Sequence, residues 1–135
     1  MKASGNVSRI SLQVRYRDLD SLGHVNNAVY LSYFEMGRIN FFMDMELDFN
    51  PESVNFVLAH VSIDFRKSIT LFDSIMQETW IQKTGRTSVT FRHRIVSSAD
   101  GSEFCTGETI AVWLGPDGKK AELPEVFRKL SHEVS

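Results

Sequence analysis

The chain has 135 residues, and its 15 basic and 17 acidic side chains give a net charge of −2 at pH 7. This length predicts a single domain that spans residues 1–135. The lack of any basic run longer than Lys119-Lys120 argues against a nucleic-acid partner. A single cysteine, Cys105, excludes an intrachain disulfide, and no apolar run reaches about 18 residues, so we expect a cytoplasmic protein without membrane insertion.

Residues 9–17 alternate between apolar and polar side chains. Ile10, Leu12, Val14 and Tyr16 fall on one face, and the arginines of this stretch fall on the other. Such a period of two is typical of a strand with one buried face. The sequence therefore predicts a half-buried strand here.

Residues 26–45 carry apolar side chains at spacings of three and four, which is typical of one face of a helix. Other apolar residues of the same stretch, including Leu31, Met36 and Ile39, cover much of the remaining circumference. A helix that is apolar nearly all round is expected to be buried nearly all round. The residues at helical spacing are Tyr30, Tyr33, Phe34, Gly37, Phe41 and Met45.

The rest of the chain carries strand patterns separated by turn signals. Asn50-Pro51-Glu52-Ser53 predicts a turn or a short helical start. One strand, one long helix and four further antiparallel strands indicate an α+β domain in which a curved sheet wraps the helix. Two open sheet edges lead us to expect a homo-oligomer, a dimer or a tetramer, formed by joining sheets. The later strands are predicted near 57–66, 74–83, 89–95 and 104–114, with a short helix over 124–130.

The segment from Asp18 to Asn26 places a carboxylate beside the start of the predicted helix. The first N–H groups of a helix lack intrahelical partners and carry partial positive charge, so they can stabilise a developing oxyanion. Asp20 lies one glycine turn upstream, and the pattern indicates hydrolysis of an activated acyl group. Two alternatives compete with this interpretation. Asp20 can be only a turn-forming residue, and Asp18, which can lie on the same face, can be the reactive carboxylate instead. A calcium loop is disfavoured because Leu22 and Val29 occupy ligand positions.

The segment from Tyr16 to Tyr30, YRDLDSLGHVNNAVY, resembles the signature of hotdog-fold acyl-CoA thioesterases of the 4-hydroxybenzoyl-CoA thioesterase type. The later segments VSIDFRK, residues 61–67, and GRTS, residues 85–88, resemble further features of that family. The resemblance covers most of the chain. It implies a hotdog fold, with a curved antiparallel five-stranded sheet around a long central helix, and hydrolysis of an acyl-CoA to a free carboxylic acid and CoA.

The same resemblance implies roles for Asp20 and Asn27. Asp20 matches the catalytic carboxylate, acting as nucleophile or as general base. The backbone N–H of Asn27, seven residues further on, matches the donor that polarises the thioester oxygen. A thiolate leaves readily, so one carboxylate and one electrostatic contact are enough for the reaction.

Four further residues are candidates for supporting roles. His24 either orients the Asp20 loop or caps the turn, and Asn26 is predicted as the helix N-cap that fixes the direction of the Asn27 N–H. Tyr30 is predicted as a core residue that can also touch an acyl chain. Glu35 is an acid on a helix predicted to be buried, and it resembles an acidic position common to the family's helix.

Arg66, Lys67 and Arg86 are candidates for binding the phosphates of coenzyme A at a subunit interface, with solvated strand ends as the alternative. The four histidines form no ligand pair, and the sequence has no Gly-x-Ser-x-Gly elbow. We therefore expect no metal, and no cofactor, since CoA is part of the substrate.

Two departures from the family pattern bear on the substrate. Leu19 precedes Asp20 where many relatives have Thr or Cys, and Asn26-Asn27 stands where aromatic residues are common. Together with Tyr30, this segment is also similar to the motif of plant-type acyl-carrier-protein thioesterases, so acyl carrier protein is an alternative carrier. The sequence is also compatible with a non-catalytic acyl-CoA-binding hotdog module and, less well, with a hydratase of the same fold.

Overall fold

The computed structural model describes residues 6–47 and 56–132. The turn predicted at Asn50-Pro51-Glu52-Ser53 lies outside these residues. Within the described residues, none of the helices is both long enough and apolar enough to cross a membrane. The elements in chain order are strand β1 (Ser8–Leu12), a 3-10 turn (Tyr16–Asp18), helix α1 (Val29–Asp44), strands β2 (Phe56–Phe65), β3 (Ile75–Thr84), β4 (Ser88–Ser97) and β5 (Glu103–Trp113), and helix α2 (Glu125–Lys129).

The five strands form one open antiparallel sheet in the order β1-β3-β4-β5-β2. Hairpins join β3 to β4 and β4 to β5. In the second hairpin Gly101 has a φ of 76°, a left-handed conformation that glycine adopts without strain. Strand β2, which follows the long helix in the chain, pairs with β5 and forms one edge of the sheet, while β1 forms the other. The predicted α+β hotdog architecture is confirmed.

Helix α1 packs against the inner face of this sheet. Alternate residues of a strand point to the same face, and every second residue of β4 is fully buried under the helix. Phe34 of α1 stacks on the His93 ring, with 4.3 Å between the ring centroids. The contact fixes the middle of the helix over the middle of the sheet. The inward-facing residues of β4 are Val89, Phe91, His93 and Ile95.

The first strand ends earlier than predicted. It covers Ser8–Leu12 rather than residues 9–17, and the chain then turns through the 3-10 segment. The Asp18 carboxylate accepts a 2.9 Å hydrogen bond from the Arg15 backbone N–H, which holds this bend. Tyr16, predicted to face inward, is 82% exposed. The alternation of side chains continues past Leu12, but the hydrogen bonds at Asp18 determine the path of the backbone.

Helix α1 starts at Val29 rather than near Asn26, and the prediction of Asn26 as its N-cap is wrong. Ala28 is the N-cap residue, and it makes no side-chain cap. The Asn26 side chain instead accepts a 2.9 Å hydrogen bond from the Ala28 backbone N–H, only two residues on. Asn26 therefore closes a tight turn ahead of the helix, because its short amide reaches this nearer donor.

Helix α1 is not buried nearly all round, contrary to the sequence prediction. Its inner face is buried, but Leu31, Met36, Ile39 and Met43 are between 38% and 66% exposed. The sheet covers only one side of the helix, so the apolar residues of the other sides stay accessible in a single chain. Exposed apolar patches of this kind are typical of interaction surfaces and of ligand-binding grooves.

Candidate active site

The loop between the 3-10 turn and α1 is a compact turn held by backbone hydrogen bonds. The Asp20 N–H donates to the His24 carbonyl at 2.7 Å, and the Gly23 N–H donates to the Asp20 carbonyl at 3.1 Å. Gly23 has a φ of 81°, which explains why a glycine stands at this position. Leu19 and Val25 form an antiparallel bridge that closes the loop at its base. The turn therefore fixes the position of Asp20 relative to the start of α1.

The two oxygens of the Asp20 carboxylate differ in their hydrogen bonding. Its Oδ1 accepts hydrogen bonds from the backbone N–H groups of Leu22 at 2.9 Å and His24 at 3.2 Å. Its Oδ2 has no hydrogen-bond partner among the residues that the structure describes. The turn-forming alternative thus accounts for one oxygen, while the second is left available. His24 contributes its backbone N–H to this arrangement.

Asp18 occupies a different environment from Asp20, although the two are separated by one residue. Its side chain is buried and accepts hydrogen bonds from Arg15 and from the Tyr33 hydroxyl. Burial by itself would raise the pKa of Asp18, but these hydrogen bonds and the Arg15 charge hold the pKa below its ordinary value of 3.8. Asp18 is thus an ionised structural carboxylate, and both of its oxygens accept hydrogen bonds from Arg15 or Tyr33.

The turn that precedes α1 presents the Asn27 backbone N–H. The Asn26 N–H is taken by the Asp18 carbonyl at 2.8 Å. The Ala28 N–H is taken by the Asn26 side chain. Between them, the Asn27 N–H has no acceptor in the described part of the chain. It stands just ahead of the first turn of α1, where the helix dipole adds positive potential.

These groups meet in a cavity of about 370 Å³. It joins the loop, the first turn of α1 and the end of β2, so segments distant in sequence contribute to it. The structure brings six of the predicted residues to this cavity, namely Asp20, His24, Asn27, Tyr30, Arg66 and Lys67. Three residues that the sequence analysis did not single out also line it, Val25, Phe65 and Ser68.

Tyr30 belongs both to the core and to the cavity, as predicted for it. Its side chain is 2% exposed, and its ring meets the Phe65 ring edge-on with 5.0 Å between centroids. Burial, with a smaller contribution from the neighbouring Cys105, raises the pKa of the Tyr30 hydroxyl to about 12. The hydroxyl stays protonated at neutral pH, and the ring of Tyr30, together with that of Phe65, provides an apolar wall.

Two basic residues form the outer rim of the cavity. Lys67 Nζ donates to Ser102 Oγ at 2.6 Å and lies over the Phe104 ring, 4.7 Å from its centroid. Arg66 Nε lies 3.5 Å from a Glu103 carboxylate oxygen, and more than half of its side chain is exposed. Both cations can therefore reach an anion at the mouth of the cavity while staying hydrated.

The remaining predicted residues lie elsewhere. Arg86 is in the hairpin between β3 and β4, at the opposite end of the sheet, where its carbonyl accepts a hydrogen bond from Leu123. Glu35 lies farther along α1 and lines a second cavity. Asn26 supports the turn but does not line the first cavity. Among residues 6–47 and 56–132, no group of three or more His, Cys, Asp or Glu side chains is placed to hold a metal ion.

Residues 14–130 match the family model of the thioesterase-like superfamily. The chain belongs to this superfamily. A thioesterase from Thermus thermophilus, whose crystal structure contains coenzyme A and zinc, is 35% identical, with a TM-score of 0.78 over 95% of this chain and 94% of the other.

Two further comparisons agree with the membership. A 1,4-dihydroxy-2-naphthoyl-CoA thioesterase from Synechocystis, 19% identical, has the same fold, with a TM-score of 0.81 over 92% of this chain and 94% of that one. A chloroplastic acyl-acyl carrier protein thioesterase from Arabidopsis thaliana is 24% identical over 130 residues, which are 94% of this chain and 68% of that protein.

Membership of the thioesterase-like superfamily confirms the family resemblance and the interpretation of the chain as a thioester hydrolase. The individual roles of Asp20, Asn27 and the supporting residues stay predictions. What the geometry adds is that Asp20 and Asn27, each with one polar group that has no partner in the described residues, line the same cavity.

Proposed function

We propose that this protein is an acyl-CoA thioesterase, which hydrolyses an acyl-CoA to a free carboxylic acid and CoA. The observation that carries the proposal is the shared cavity of Asp20 and Asn27, with Arg66 and Lys67 on its rim. The coenzyme A bound to the 35% identical relative supports CoA as the carrier. The proposed reaction uses no cofactor, because CoA is part of the substrate.

In the proposed reaction the thioester carbonyl oxygen accepts a hydrogen bond from the Asn27 N–H. Negative charge that develops on this oxygen is stabilised there by the N–H and by the positive end of α1. Asp20 Oδ2 either removes a proton from the attacking water or attacks the carbonyl carbon itself, forming an anhydride that water then hydrolyses. The C–S bond breaks, and the CoA thiolate leaves and takes up a proton.

The supporting residues act through position. The His24 N–H holds Asp20 Oδ1, so that the other oxygen points away from the turn. Asn26 fixes the turn that presents the Asn27 N–H. Tyr30 and Phe65 form an apolar wall against which the first part of the acyl group lies. Glu35 is too far along α1 to line this cavity, so any support it gives acts from the second cavity.

Arg66 and Lys67 are proposed to bind CoA phosphates, since both are cations at the cavity mouth. Within one chain Arg86 lies at the opposite end of the sheet, about 30 Å away along a ten-residue strand. A second copy that pairs its β2 antiparallel with this β2 edge would reverse that direction. The partner's Arg86 would then approach the site that its own chain keeps distant.

The exposed edge of β2 supports the proposed homo-oligomer. Val57, Leu58 and Phe65 on this strand are each nearly half exposed. A strand with an unpaired edge and apolar side chains tends to pair with another chain. Sedimentation or light scattering of the purified protein tests this, and a monomer at micromolar concentration would overturn it.

The test of the activity is thiol release from short, long and aromatic acyl-CoAs by the wild type and by Asp20→Asn. Asparagine retains an Oδ1 that can accept from Leu22 and His24, so the turn is kept while the base is lost. We expect turnover to fall by about 10²–10⁴-fold. The matched control is Asp117→Asn, since Asp117 also accepts a backbone N–H two residues on, at 3.0 Å, but lies in a remote hairpin. Equal rates for wild type and Asp20→Asn would sink the assignment of Asp20.

The second candidate is an acyl-carrier-protein thioesterase, which the similarity to the Arabidopsis enzyme favours. Offering the same acyl group on CoA and on acyl carrier protein, and comparing kcat/KM, distinguishes the two carriers. A protein that binds both thioesters but releases no thiol from either would be the non-catalytic binding module.

A further inference from the structure

Helix α1 and strand β2 lie side by side from the candidate active site to the other end of the helix. Near the site the ring centroids of Tyr30 and Phe65 are 5.0 Å apart, and at the far end Phe42 stacks with Phe56 at 5.9 Å. Strand β2 therefore runs along the helix in the opposite direction.

At this far end lies a second cavity, of about 250 Å³. Most of its walls are aromatic or aliphatic, and they come from α1, β2, β4 and β5. Two charged side chains, Glu35 and Arg38, interrupt these walls. The apolar lining residues are Ile39, Phe42, Phe56, Leu58, Phe91 and Ala111.

Arg38 has more hydrogen-bond donors than it uses. Its guanidinium carries five N–H groups. One of them reaches Thr109 Oγ1, at 3.5 Å, and no ion pair joins Arg38 to a carboxylate in the described ranges of the chain. Burial lowers the pKa of the guanidinium below its ordinary value, while Glu35 opposes this shift. Arg38 is thus a partly desolvated cation whose remaining donors suit an oxygen acceptor.

We infer that this second cavity binds the far end of the acyl group, and that Arg38 selects acyl groups that carry an oxygen acceptor there. Arg38 lies two helical turns beyond Tyr30, a distance of about 12 Å along α1, which an acyl chain of medium length spans. The inference rests on the proposed function, since it assumes that the acyl group enters at Asp20 and Asn27.

Glu35 should distinguish an acyl group that ends in a hydroxyl from one that ends in a carboxylate. A terminal hydroxyl can accept from Arg38 and donate to Glu35, whereas a terminal carboxylate is attracted by Arg38 and repelled by Glu35. Glu35→Gln removes the repulsion and keeps a polar side chain of similar shape. The variant should therefore raise kcat/KM for the carboxylate-ended acyl group relative to the hydroxyl-ended one.

The test compares acyl-CoAs of equal chain length that end in a methyl, a hydroxyl or a carboxylate, over about six to twelve carbons, lengths that bracket the span along the helix. We expect kcat/KM of the wild type to favour a polar-ended member by about tenfold or more. Arg38→Met should abolish the preference, whereas Arg9→Met, which removes an arginine from the outer face of the sheet, should keep it. If Arg38→Met does not fold, Arg38→Lys, which keeps the charge and loses the planar fork, replaces it.

The outcomes separate this inference from the proposed function. Thiol release without any preference for polar ends, or with a preference that survives Arg38→Met, overturns the inference and leaves the thioesterase intact. If no acyl-CoA is hydrolysed, calorimetric binding of the same thioesters decides: selective binding that depends on Arg38 supports the inference, and unselective or absent binding overturns it. A change of oligomeric state in Arg38→Met, together with an unselective wild type, would mean that Arg38 pairs with a second copy instead.

Discussion

The Tyr33 hydroxyl donates a 3.0 Å hydrogen bond to Asp18 Oδ2, beneath the loop that carries Asp20. Tyr33 belongs to α1, and the backbone carbonyl of Asp18 accepts the Asn26 N–H at 2.8 Å. One buried carboxylate residue thus connects the helix to the turn that presents the Asn27 N–H. The position of the proposed oxyanion donor depends on this contact rather than on Asp20 itself.

Removing the Tyr33 hydroxyl should destabilise the turn that Asp18 holds. Tyr33→Phe keeps the ring in the core but leaves Asp18 with one hydrogen bond fewer, and we expect the free energy of unfolding to fall by about 1–3 kcal/mol. Urea denaturation measures this loss. Tyr16→Phe is the matched control, because the Tyr16 side chain is exposed and should be insensitive. Similar losses in the two variants would contradict a special role for the Asp18 contact.

The Asp18 contacts also predict how stability responds to acid. Because the pKa of Asp18 is lower in the folded protein than its ordinary 3.8, the unfolded chain binds this proton more readily. The stabilisation is therefore complete above about pH 4 and is lost as the pH falls through the folded pKa. Asp18→Asn should be less stable than wild type at neutral pH, yet lose less further stability between about pH 4 and pH 2. Parallel pH profiles of unfolding free energy for the two proteins would rule this out.

Gly37 marks a close approach of α1 to the sheet. A Cβ at this position would lie 2.5 Å from both Gln77 Oε1 and Thr79 Oγ1. Gln77 cannot move freely, because it bonds the Tyr33 carbonyl at 2.6 Å and the His93 ring at 3.0 Å.

Gly37→Ala should therefore lower the unfolding free energy by about 1–3 kcal/mol, although alanine usually stabilises a helix interior by about 1 kcal/mol. Ser32→Ala, on an exposed side of the same helix, should show no loss in the same denaturation experiment. A Gly37→Ala protein that is more stable than the wild type would show that Gln77 and Thr79 can move to accommodate the added methyl group.

Most of the sheet was predictable because alternation and turn residues point to the same boundaries. The strand predicted at 57–66 is observed at Phe56–Phe65, and that predicted at 104–114 at Glu103–Trp113. The prediction failed where side chains accept hydrogen bonds from the nearby backbone and redirect the chain, at Asp18 and Asn26. It also failed for the exposed side of α1, since periodicity identifies apolar residues without showing whether the sheet covers them.

The site was predictable in part for a similar reason. The spacing of Asp20, Gly23 and Asn27 lies within one loop, so local rules and the family resemblance sufficed to place these residues together. Phe65 and Ser68 come from the end of β2 and the loop after it, and only the fold brings them to the cavity. Arg86 shows the converse, because within one chain it lies at the far end of the sheet, so its proposed contact with CoA requires a second copy.

Lys67 gives the sharpest test of CoA binding at the cavity rim. If its ammonium group binds a CoA phosphate, Lys67→Ala should raise KM for an acyl-CoA several-fold with little change in kcat, since an exposed ionic contact contributes about 0.2–1 kcal/mol and one strengthened by hydrogen bonding more. Added salt should weaken acyl-CoA binding by the wild type more than by the variant. The variant lacks the ammonium group whose attraction to the phosphate is screened by salt. Lys119→Ala, in the hairpin after β5, controls for the loss of one positive charge. Equal KM values and equal salt dependence for the wild type and Lys67→Ala would move the phosphate contact to Arg66 or to a second copy of the chain.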